Sequence, residues 1–243
     1  MKTKKISAVV GVVLFLIFIW NTQTKASLSN PYLKTGDLTY DDILLIANNS
    51  AFEFSSIQAY SLFYVAPFLI LLNSFFSREA KWSITRFKSR QQYFFLRVRQ
   101  ILLTAFLFSL THSVINLGMS YQHFPSEVLE SNHFLKIVFL NTISLFLFYS
   151  FVGILYELVK DLVNSSTKSF FIVVFTIGLL FFMEKLLLSQ IWGPLKDLSM
   201  YNKMLEGEWG VLDIALIFIR QFFFAAFASS LGLAAFVRKD MYK

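Results

Sequence analysis

Residues 134–156 read FLKIVFLNTISLFLFYSFVGILY, and Lys136 is the single charge among them. A helix needs about 20 consecutive apolar residues to cross the hydrocarbon core of a bilayer, so this run is long enough to span one. Outward from it the same texture recurs at 6–20, 57–76, 100–117, 170–188 and 212–236. Each run must be helical, because lipid offers no hydrogen-bond partner to an open strand edge. The expected fold class is therefore all-α: a polytopic integral membrane protein with about six transmembrane helices, forming a single transmembrane domain over residues 1–243. Composition agrees, with 56% hydrophobic and only 15% charged residues, where soluble domains carry roughly a quarter charged. Pro67 lies inside the second run; it removes one backbone hydrogen bond and predicts a kink there.

An even number of spans puts both ends of the chain on one side. The segments on that side, 1–5, 77–99, 158–168 and 237–243, hold fifteen of the 22 lysines and arginines. The opposite loops hold six, counting Lys136 and Lys185 at helix ends. Short loops rich in Lys and Arg stay inside, so both termini are expected in the cytoplasm. The first run follows a basic start, Lys2, Lys4 and Lys5, and resembles a signal peptide in outline. It is long and the box at Thr24-Lys25-Ala26 is a poor cleavage site, so an uncleaved first helix is expected. The outer loop 21–56 is the largest segment outside the spans; within it residues 41–47 have an acidic start and a short apolar run, predicting one interfacial or packed helix.

Motifs for chemistry are missing from the sequence. It has no phosphate loop of the form G-x-x-x-x-G-K-[ST], no H-E-x-x-H and no G-x-S-x-G. With no cysteines, disulfides and thiolate metal sites are excluded, and His112, His123 and His133 do not have ligand spacing. No catalytic, cofactor or metal site is expected in this chain. The net charge of +7 resides in short loops between apolar runs, which marks sidedness rather than nucleic-acid binding.

Polar residues within the spans have two readings. Thr104, Ser109, Thr111, His112 and Asn116 lie in the third run, Asn141, Thr142, Ser144 and Ser150 in the fourth. Such side chains usually hydrogen-bond between helices; the alternative is a substrate path, with His112 and Asn116 as candidates. Glu184, Lys185 and Arg220 lie near the outer ends of their helices, where snorkelling explains a charge; Arg220 is also a candidate functional residue. The last run is rich in small residues, with Ala225/Ser229 and Ala228/Gly232 at four-residue spacing among Ala226, Ser230, Ala234 and Ala235. That stripe predicts a close packing seam with another helix.

The most informative segment is 77–99, SREAKWSITRFKSRQQYFFLRVR, with seven basic residues, one acid, and Trp82, Ile84, Phe87 and Tyr93 interleaved. It reads either as a basic loop lying on anionic lipid or as a helix that docks on a soluble partner. Six spans with both ends inside, and a basic segment joining spans two and three that carries Glu79 and then Ser89-Arg90, resemble the type-2 ABC transporter permeases. The run from Arg86 to Tyr93 is similar to the small permeases that accompany Gram-positive bacteriocin and lantibiotic systems. The resemblance implies a coupling helix seated on a separate ATPase subunit, with Glu79, Trp82, Arg86, Phe87, Ser89, Arg90 and Tyr93 at the contact. It further implies that ATP and Mg are bound by that partner, with a second permease copy or paralogue completing the pore. The implied cargo is a peptide or lipid, exported across a bacterial cytoplasmic membrane. The stretch from Gln190 through Trp192, Gly193 and Pro194 to Gly210 is similar to that family's re-entrant hairpin. The other class consistent with these residues is a non-transporting membrane protein, such as a bacteriocin immunity factor or a membrane sensor.

Overall fold

The computed structural model describes residues 2–28, 43–44, 54–76, 89–187 and 192–238. Helix α1 covers Lys2–Leu28, a π-helical turn covers Ala59–Phe63, and α2 covers Val65–Phe76. The long helix α3 runs Arg90–His123, then come the short α4 (Ser126–Ser131), α5 (Phe134–Val163) and α6 (Ser166–Leu186). A 3-10 turn at Lys196–Ser199 leads into the short α7 (Met200–Leu205), and α8 (Val211–Arg238) follows. No strand occurs among the described residues. Residues 5–22 within α1, together with α3, α5, α6 and most of α8, are five helical stretches long and apolar enough to cross a membrane. The helical stretch Ala59–Phe75 is apolar but shorter. The chain is an all-α, polytopic membrane protein.

The apolar runs mark where helices cross hydrocarbon, and the helices themselves run longer. At 1.5 Å per residue, the 34 residues of α3 make a rod of about 50 Å, against a hydrocarbon core of about 30 Å. Its first ten residues, with Arg90, Arg97 and Arg99, therefore extend past the expected crossing at 100–117. Ser89 starts the helix by accepting the Gln92 amide at 3.2 Å, and Ser165 does the same for α6 from Lys168. Asn164, in the left-handed region at φ 57°, closes α5 with its amide on the Lys160 carbonyl.

Pro67 does not kink a continuous helix. It sits in the first turn of α2, where its missing N–H has no partner to lose. The irregularity lies upstream: the Tyr64 amide reaches back five residues to the Ala59 carbonyl at 2.9 Å, and ordinary spacing resumes with Phe68 on Tyr64. The widened turn spares the Phe63 carbonyl from the proline ring, which would crowd an acceptor four residues back.

Helix α5 is the hub, with α3, α6 and α8 packed around it and α1 reaching the same core through Val12, Leu16 and Trp20. Two glycine contacts set the spacing. A Cβ on Gly153 of α5 would lie 2.5 Å from the Ile101 side chain of α3, and one on Gly232 of α8 would lie 3.3 Å from the Phe94 ring. Ala228 and Gly232 of the expected seam are buried while Leu231 is exposed, so the small-residue face of α8 packs on helices of the same chain. Of residues 41–47, the structure describes Ile43 and Leu44, which are helical; Leu44 is buried against Phe124, Leu129, Phe134 and Tyr201. The rest of that segment lies outside the described residues.

Candidate functional site

Two ends of the bundle carry organised polar chemistry. At the end where α3 and α6 begin and α5 and α8 finish, which is rich in Lys and Arg, Arg97 is enclosed although it was counted above only as one of seven basic residues. It has 4% of its surface exposed. Its guanidinium pairs with Glu157 through Nη2 and donates from Nη1 to Asp161 Oδ2 at 2.8 Å. Both carboxylates come from α5, four residues apart and so on one helical face. Lys160 adds a 2.9 Å contact to Glu157, and Phe236 of α8 lies under the guanidinium at 5.3 Å, a favourable cation–π placement. The signal legible beforehand was Glu157 and Asp161, two acids at four-residue spacing just beyond an apolar run, facing no cation of their own helix at that spacing.

Of the expected coupling residues, Glu79, Trp82, Arg86 and Phe87 lie outside the described residues. The three that are described turn toward their own chain. Ser89 caps α3, Arg90 Nη1 donates to the Val237 carbonyl at 2.9 Å, and Tyr93 is buried with its ring stacked on Phe236 at 5.8 Å. Within the chain, Arg90 and Tyr93 both fasten the start of α3 to the end of α8. On the other side of the basic segment, Lys5 of α1 donates to the Phe75 carbonyl at 3.4 Å and lies over the Phe75 ring, at the C-terminal end of α2 where a cation is favoured.

His112 and Asn116, one turn apart on α3, occupy the opposite half. The His112 ring stacks on Phe54 at 4.2 Å and meets Tyr60 and Tyr64 edge-on at 5.4 Å. Asn116 ties three elements together: it accepts from Trp20 Nε1 at 3.2 Å and donates to Ser55 at 3.2 Å and to the Tyr201 hydroxyl at 3.1 Å. Asn141 donates to the Tyr60 hydroxyl at 2.9 Å, and Ser144 exchanges hydrogen bonds with Gln221. Thr104, Thr111 and Ser150 bond the carbonyls of their own helices.

Arg220 does not simply snorkel. It donates from Nε and Nη2 to Asp197 at 3.2 and 2.5 Å, and it covers the Trp192 ring at 4.9 Å while Trp192 also donates to Asp197. Burial raises the Asp197 carboxyl above its ordinary range, against the opposing pull of the Arg220 and Trp192 donors. Glu184 likewise turns inward: its carboxylate accepts the Leu195 amide at 3.1 and 3.2 Å. Gly193 leaves it room, since a Cβ there would come within 2.2 Å of the Glu184 carboxyl carbon and displace that side chain. Lys185 remains exposed, over Phe181. The stretch 192–210 is thus pinned to α6 and α8. Through Tyr201 it reaches Asn116, seven residues inside the end of α3, a depth of about 10 Å.

The described His, Asp and Glu residues form no group suited to a metal ion. Compared with protein-family models, with curated proteins and with solved structures, the chain matches none.

Proposed function

We propose that this chain is the membrane-spanning permease subunit of an ABC transporter in the bacterial cytoplasmic membrane, driven by a separate ATPase subunit. Its cargo is a bacteriocin-like or other amphipathic peptide, or a lipid. One observation carries the reading: segment 77–88 is bracketed by two fastened helix ends. Lys5 secures the last turn of α2, and Arg90, Tyr93 and Arg97 secure the first turns of α3 to α5 and α8. A load applied to the basic segment is therefore delivered at once to five helices, α1, α2, α3, α5 and α8. A loop that only rested on lipid would need no such mounting. In this account Trp82 and Phe87 are apolar anchors of the kind that dominate interfaces, Glu79 and Arg86 flank them, and Ser89, Arg90 and Tyr93 position the helix beneath. ATP and Mg are held by the partner, both termini lie in the cytoplasm, and a second permease copy or paralogue completes the pore.

The test is purification in mild detergent from the native host. The proposal expects a stoichiometric subunit that bears a phosphate loop and hydrolyses ATP; recovery of the chain without one contradicts it. A second reading, a non-transporting immunity factor or sensor, is favoured by one feature of the interior: Asn116, Asn141 and Ser144 bond across helices and bind the outer half together. It expects the lone chain to confer resistance or signal without ATP.

A further inference from the structure

The Arg97 cluster has a shape that static packing does not require. Arg97 lies one turn from Ile101 on α3, and Glu157 lies one turn from Gly153 on α5. The Ile101–Gly153 approach is the tight one, closed to any side chain larger than hydrogen. One turn beyond it, between α3, α5 and α8, packing loosens around a cavity of about 10 Å³. Ile101 itself borders it, with Ile154, Gly232, Arg97, Glu157 and Asp161 also in its lining. That volume is roughly a single water. The ion cluster is less enclosed on its outer side, where the Asp161 side chain is 15% exposed. A tight contact, then a gap, then a charged closure reachable by solvent is the arrangement of a pivot and a catch.

We infer that Arg97, Glu157 and Asp161 form an openable clasp, and that the first two turns of α3 swing away from α5 about the Ile101–Gly153 contact when it parts. Charged groups suit this duty. Apolar side chains would close the same gap without a penalty and stay closed, whereas charges that gain hydration on separation keep the two arrangements close in free energy. The motion carries Ser89, and with it the end of segment 77–88. The geometry of the clasp stands by itself; its use by a nucleotide-driven partner rests on the function proposed above.

The chain has no cysteine, so single introduced thiols report without background. Ile154→Cys belongs to the cavity lining and is buried, Ala105→Cys is buried one turn past the pivot, and exposed Gln92→Cys normalises the reagent. Each is labelled in the purified full chain with a membrane-impermeant maleimide, which cannot enter a water-sized cavity. Labelling rate follows the open fraction. Arg97→Gln should raise the Ile154→Cys rate about tenfold while Ala105→Cys stays unreactive. Asp161→Asn, which keeps the Arg97–Glu157 pair and removes the other carboxylate, should raise the Ile154→Cys rate severalfold. If Arg97→Gln does not accumulate as folded protein, Asp161→Asn decides. No acceleration at Ile154→Cys overturns the clasp, and so does equal acceleration at Ala105→Cys, which would mean general loosening. If the clasp responds to Arg97→Gln but a nucleotide-loaded ATPase subunit leaves it unchanged, the coupling reading fails and the clasp stands.

Discussion

Removing Arg97 strands two carboxylates that were placed to face it. Breaking a buried pair from one side costs about 3 kcal/mol, and Arg97→Ala is expected to lower the unfolding temperature in detergent accordingly. Lys160, more exposed than Arg97 and paired with Glu157 beside the Tyr156 ring, is a weaker contributor, and Lys160→Ala should cost about 0.5 kcal/mol. Equal losses for the two would show that the cluster is not organised around Arg97. Trp20→Phe keeps the buried ring but removes the donor to Asn116, and should cost about 1 kcal/mol. An unchanged melting curve would deny α1 its tie to α3. These residues were only partly legible in the sequence. Asn116 and Arg220 stood out as polar groups within apolar runs, but their partners Trp20, Tyr201 and Asp197 come from distant or loop segments with no local signature. Arg97 was hidden by its neighbours: amid seven basic residues, charge marks sidedness and says nothing of which side chain turns inward.

At the scale of elements, the seam on α8 gives a contrast between adjacent positions. Gly232→Leu must push α8 off the Phe94 ring of α3 and should cost about 1–3 kcal/mol through overpacking. Leu231, exposed on the apolar surface, should tolerate Leu231→Ala with little change in folded yield. If the two variants behave alike, the small residues are not a packing surface. The spans were legible because hydrocarbon imposes a length that composition records. Helix limits were not, since α3 starts at Arg90 rather than near 100 and its polar first turns carry no apolar pattern. Pro67 was legible as a disturbance, yet its position followed from a rule about first turns: the helix restarts just before it, and the widened turn at Ala59–Phe63 absorbs the conflict.

For the whole molecule, the lopsided distribution of Lys and Arg predicts that both termini lie in the cytoplasm. A reporter that works only there, fused after Lys243, should be active; activity confined to a surface-type reporter would invert the topology. The all-α membrane fold was readable from apolar runs alone, but the functional reading depends on segment 77–99, where sequence shows charge and aromatics without showing what they meet. On the function proposed above, this segment docks by residue identity rather than by charge. The deciding measurement is recovery of the ATPase subunit with Trp82→Ala and Phe87→Ala chains, set beside a charge-preserving Arg78→Lys, Lys81→Arg chain, after equal membrane insertion is verified. Each aromatic variant is expected to lose about thirtyfold in affinity for the partner, the effect of losing about 2 kcal/mol at an anchor, while the charge-preserving chain retains most of it. Full recovery with both aromatic variants would contradict docking and leave the segment as an orienting loop on lipid.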